Sequence, residues 1–118
     1  MASIKSYTDI EQSKKLTEIL PLESADMYWY LATKGNPKAM FNEGYNEYGD
    51  CELPCWSLSA LLDVLPNGTD IVKDEADTEN EKYMCTVGIK DDTISTFGNN
   101  PVDACVAMIE KLHKLNLL

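Results

Sequence analysis

The chain has 118 residues, 44% of them hydrophobic, with 20 acidic against 10 basic side chains and a formal net charge of −10. That length fits a single domain spanning residues 1–118, able to bury roughly 65% of its unfolded surface around one core, and the mixture of apolar runs and charges excludes general disorder. No apolar run approaches the roughly 20 residues that cross a bilayer, and the charge opposes nucleic-acid phosphates and anionic lipids, so neither a membrane span nor direct nucleic-acid binding is expected.

The N-terminal stretch has a lysine but no apolar core of a secretory signal, so a cytoplasmic location is the expectation. Thr8 and Glu11 have the spacing of a capping box and Asp9 complements the positive helix end, which starts a first helix near Thr8. Ile10, Leu16, Ile19 and Leu20 give it an apolar stripe, and Pro21 stops it. From Ser24 to Leu31 the period changes to two: Ala25, Met27, Trp29 and Leu31 alternate with Asp26, Tyr28 and Tyr30, as in a strand.

Residues 33–54 carry Gly35, Pro37, Gly44 and Gly49 without a sustained period, and read as a long irregular connection with one helical turn near Lys38–Asn42. Next comes the most sharply bounded helix, Ser57–Leu65. Ser57 caps it, Leu58, Leu61, Leu62 and Leu65 recur at helical spacing, and Pro66 forbids continuation. Asn67-Gly68 then turns the chain into a polar stretch ending near Glu81.

Tyr83, Cys85, Val87 and Ile89 alternate with Met84, Thr86, Gly88 and Lys90, and Asp91-Asp92 can return the chain through Thr93–Phe97 as a hairpin. Asn100 caps a final helix with Pro101 at its first position, a stripe of Val102, Cys105, Ile109 and Leu112, and Lys111, His113 and Lys114 near its negative end. The order α-β-α-β-β-α gives too few strands for a doubly wound sheet. It predicts an α+β fold: a small antiparallel sheet of about three strands against about three helices.

Certain segments resemble a known group of proteins. They are Ser6-Tyr7-Thr8-Asp9-Ile10-Glu11-Gln12-Ser13-Lys14-Lys15-Leu16, Ile19 to Met27, Trp56 to Leu62 and Asn100 to Cys105. Together they resemble a family of small uncharacterised proteins of gut bacteria and their phages or prophages. The resemblance implies a source context and one compact domain, with residues 33–54 and 67–81 as its variable parts. It supplies no catalytic residue.

Chemistry-bearing residues are few. Cys51, Cys55, Cys85 and Cys105 are even in number, but without an export signal they read as reduced thiols. The three-residue gap between Cys51 and Cys55 is tolerable for a zinc knuckle, but Cys85 and Cys105 lie far apart with no paired spacing, which disfavours zinc, and both fall on apolar faces. Cys55 before a helix and the single histidine, His113, could be imagined as nucleophile and base, yet His113 suits simple complementation of a helix dipole. No nucleophile elbow, phosphate-binding glycine loop or zinc-protease motif occurs. The run Asp70, Asp74, Glu75, Asp77, Glu79 and Glu81 lacks the glycine of a calcium loop and reads as a solvated, self-repelling segment. Neither a catalytic residue, a metal nor a cofactor is therefore assigned.

The aromatic cluster carries more. Tyr28, Trp29, Tyr30, Phe41, Tyr45, Tyr48 and Trp56 crowd one third of the chain, and such side chains combine rigid contact area with a polar tip. Trp29 and Trp56 adjoin apolar elements and are expected in the core, leaving Tyr28, Tyr30, Tyr45 and Tyr48 as candidate partner-binding residues. The leading expectation is a non-enzymatic accessory protein of a phage or mobile element. It would bind another protein, for which the negative charge favours a basic surface. The alternatives are a small-molecule binder or enzyme with a pocket beneath the 33–54 connection, and self-association through a sheet edge.

Overall fold

The computed structural model describes residues 5–31, 35–41, 49, 51–73 and 83–118. The fold is α+β. Among the described residues three α-helices, α1 (Ile10–Thr17), α2 (Leu58–Val64) and α3 (Pro101–Lys114), accompany six strands: β1 (Met27–Tyr30), β2 (Lys38–Phe41), β3 (Glu52–Cys55), β4 (Asp70–Lys73), β5 (Tyr83–Ile89) and β6 (Asp92–Gly98). The strands form two antiparallel three-stranded sheets, ordered β2-β1-β3 and β4-β5-β6.

Each helix begins where a side chain satisfies free backbone N–H groups. Asn100 accepts from the Asp103 N–H at 2.9 Å ahead of Pro101 in α3, and Ser57 accepts from the Ala60 N–H at 3.2 Å in α2. In α1 the cap lies one residue later than the sequence suggests. Asp9 accepts from the Gln12 N–H at 2.8 Å, and the Gln12 side chain accepts from the Asp9 N–H at 3.1 Å. Thr8 cannot cap because it is fully buried, its hydroxyl engaged by Ser13 and by the Trp56 N–H.

One core unites the second sheet with the helices. Val102, Cys105, Met108, Ile109 and Leu112 of α3 meet Cys85 and Val87 of β5, and Leu16, Trp56 and Leu61 close the same cluster. The α3 stripe and the inward residues of the hairpin thus bury one another, as their periods of 3.6 and two require. At Gly98 the strand runs so close to α3 that a Cβ would lie 2.6 Å from the Ala104 nitrogen.

Sheet content is larger than the sequence reading allows. Lys38–Phe41 is a strand rather than a helical turn, paired with β1 in the register Tyr28↔Met40 and Tyr30↔Lys38. Glu52–Cys55 pairs with the other side of β1 and accommodates Pro54 because, among the described residues, no further strand lies beyond β3 in the sheet. Asp70–Lys73, placed in the polar stretch, pairs with β5. The β5–β6 turn is Lys90-Asp91, with Lys90 at φ 56, one residue earlier than Asp91-Asp92. Residues 74–82, most of the acidic run, lie outside the described residues.

Candidate functional site

The first sheet is tied to α1 by a buried polar knot. Thr8 Oγ1 and Ser13 Oγ lie 2.8 Å apart, the Trp56 N–H donates to Thr8 Oγ1 at 3.1 Å, and the Thr8 N–H donates to the Trp56 carbonyl at 2.9 Å. Trp29 Nε1 donates to the Thr8 carbonyl at 3.0 Å, and the Trp29 ring tilts against Tyr7 with centroids 5.7 Å apart. Asp26 accepts from the Ser57 N–H at 2.9 Å and from its hydroxyl, while Trp56 Nε1 donates to Ser24 Oγ at 2.9 Å. Trp56 is wholly buried in the core, as expected, whereas Trp29 is half-buried and stands outside the core cluster, held instead by its bond to the Thr8 carbonyl. Among the described residues no buried side-chain nitrogen or oxygen lacks a hydrogen-bond partner, so this polar network is satisfied where it ties β1 and β3 to α1.

That anchoring decides what the opposite face presents. Met27 and Trp29 alternate with Tyr28 and Tyr30 along β1, so the two tyrosines share a face. Residues paired across strands share it as well: Met40 and Pro54 flank Tyr28 in one row, and Lys38 and Glu52 flank Tyr30 in the next. Tyr30 is 44% exposed and Met40 45%, while Tyr28 is half-buried and Pro54 buried. Glu52 accepts from the Gly49 N–H at 2.7 Å, holding its carboxylate at the end of its row. The result is a small aromatic and thioether surface with one charge of each sign at its border. Phe41, on the other face of β2, is 72% exposed.

Of the four tyrosines singled out from sequence, Tyr28 and Tyr30 are brought together here. Tyr45 and Tyr48 lie outside the described residues. Met40, Lys38, Glu52 and Pro54 were not foreseen as neighbours, because only strand register places them there. The alternation of Tyr28 and Tyr30 was the one local signal.

Nucleophilic chemistry finds no support in the cysteines. Cys55 is fully buried in β3 between Thr8 and Ser13, and burial pushes its thiol up. His113 lies elsewhere, in the last turn of α3, where it lines a shallow groove of about 330 Å³ with Lys15, Glu18, Ile19, Glu110 and Lys114. The structure therefore separates the two residues considered as nucleophile and base. Cys85 and Cys105 are both buried, one in β5 and the other in α3; the neighbouring Cys85 thiol and burial push the Cys105 thiol up. Among the described residues no group of three or more His, Cys, Asp or Glu side chains could hold a metal ion. Among them, too, no helix is long and apolar enough to cross a membrane.

A second charged cluster is structural. Lys5 Nζ lies 2.9 Å from Asp9 and 2.8 Å from Asp103, which also accepts from Gln12 Nε2 at 2.9 Å and Asn100 Nδ2 at 3.0 Å. Burial disfavours the Asp103 charge, but the bonds from Lys5 and Gln12 outweigh it and hold the carboxyl below its usual range. Two helix N-termini are thereby fastened together. Comparison with family models, curated proteins and solved structures yields no significant match to this chain.

Proposed function

We propose that this is a non-enzymatic accessory protein of phage or mobile-element origin that works in the cytoplasm by binding another protein through the tyrosine face of its first sheet. The observation that carries this reading is the placement of Tyr28 and Tyr30 on one face, with Tyr30 and Met40 each nearly half exposed although neither is needed to complete the core. Tyrosine and methionine are well suited to contact: tyrosine offers rigid area at low entropy cost, and methionine adapts to irregular surfaces. A net charge of −10 favours a basic partner and speeds its approach. The source context rests on the resemblance of the segments around Ser6–Leu16 and Asn100–Cys105.

The test pairs capture with stability. Immobilised protein retains a specific protein from host lysate, identified by mass spectrometry, and a variant combining Tyr28→Ser and Tyr30→Ser binds the purified partner at least about tenfold more weakly with its melting temperature nearly unchanged. Equal affinity of the variant, or turnover of a metabolite by the purified chain, would refute the reading.

A further inference from the structure

Among the described residues, strand β6 is paired along one side alone. It pairs only with β5, and no strand follows it in the sheet among the described residues. The two-residue turn makes Ile89 and Asp92 the closing pair, so the backbone groups of Asp92, Ile94, Thr96 and Gly98 point to β5, and those of Thr93, Ser95 and Phe97 point outward. Outside the ladders, none of these three residues makes a backbone hydrogen bond among the described residues.

Such an edge is normally blunted by shortness, charge, proline or a bulge. The opposite edge of the same sheet obeys that rule: β4 is four residues long and carries Asp70 and Lys73. By contrast, β6 is seven residues long, and its stretch Thr93-Ile94-Ser95-Thr96-Phe97 has no charge, no proline and an unbroken register with β5. The outer face beside it is also incomplete. Val72, Met84 and Phe97 form one apolar row with Val72 49% and Phe97 42% exposed, and exposed Gly88, paired with Thr93, has nothing within 4 Å of where a Cβ would sit.

We propose that β6 pairs antiparallel with β6 of a second copy of this chain, about a two-fold axis through Ser95, to make one continuous six-stranded sheet. In that register Ser95 faces its own counterpart, Thr93 of either copy faces Phe97 of the other, and Asp92 faces Gly98. All three outward-pointing residues on each strand are then satisfied, and no like charges are opposed. Each Phe97 ring also extends over Thr93 of the other copy toward the bare Gly88, an aromatic covering a glycine. The self-complementarity of this single register selects a second copy over a foreign strand. The inference is independent of the tyrosine face, which lies on the other sheet.

The mass of the intact protein in solution, measured by sedimentation velocity at tens to hundreds of micromolar, is expected to be that of a dimer. Because each copy carries −10, raising the salt strengthens association. Ser95→Lys places two ammonium groups at the axis and weakens dimerisation at least about tenfold. Its fold is checked by tryptophan fluorescence. With Cys51 replaced by serine in both variants, Ser95→Cys treated with diamide as the two-electron oxidant gives a disulfide-linked dimer, whereas Asp92→Cys does not. A monomer at every concentration and salt, or a folded Ser95→Lys variant that dimerises as well as the parent, overturns the proposal. Should Ser95→Lys fail to fold, the cross-link decides: its absence in Ser95→Cys has the same force.

Discussion

Replacing Thr8 by valine isolates the polar knot, because the two side chains have nearly the same volume and differ by a hydroxyl. The change removes the hydroxyl that accepts from the buried Trp56 N–H, 3.1 Å away, and the 2.8 Å contact to Ser13. Leaving a buried donor unsatisfied costs about 1–3 kcal/mol, and losing the Thr8–Ser13 bond adds about 1 kcal/mol, for a total of about 2–4 kcal/mol. Thr8→Ser makes the converse change: it keeps the hydroxyl and loses one buried methyl, at about 1 kcal/mol. At this chain length each kcal/mol moves the melting temperature by roughly 3–5 °C, so valine should lower it by ~10 °C and serine by ~4 °C. Thermal and urea unfolding followed by tryptophan fluorescence read both variants. If serine proved more damaging than valine, the site would be held by apolar packing and the polar argument would be wrong.

Gly98→Ala must displace α3, since its Cβ would sit 2.6 Å from the Ala104 nitrogen, and should destabilise by about 1–3 kcal/mol in urea unfolding. Asp9 and Asp103 are both held below the usual carboxyl range, so their contribution is complete above about pH 4 and is lost as pH falls through their folded values. Melting curves of Lys5→Met should accordingly fall less steeply than the parent's below about pH 4, and the two should converge in strong acid. Native protein titrated with a disulfide reagent at neutral pH should react first at half-buried Cys51, with Cys55, Cys85 and Cys105 released only on unfolding.

What could be seen in the sequence were the elements long enough to show a period or sharp enough to show a cap. The 14 residues of α3 present their apolar stripe over several turns, and the β5–β6 hairpin has seven alternating residues on each side. Ser57 announces α2 despite its length of seven residues. Strands β2, β3 and β4 have four residues each, too few to establish alternation. Lys38-Ala39-Met40-Phe41 becomes a strand because β1 offers it a ladder, a tertiary cause that local propensity does not carry. The cap of α1 went to Asp9 for a similar reason: Trp56, 48 residues away, claims the Thr8 hydroxyl. The same limit applied to the candidate site. Alternation in β1 put Tyr28 and Tyr30 on one face, whereas Met40 and Lys38 joined them only through strand pairing.

Mapping the contact surface of the partner captured from lysate, by amide hydrogen exchange on the free and bound protein, tests the central claim most directly. The account predicts protection concentrated in residues 27–30, 38–41 and 52–55, with α3 and the groove at His113 unchanged. Protection confined to that groove or to the second sheet, with the tyrosine face exchanging as in the free protein, would contradict it.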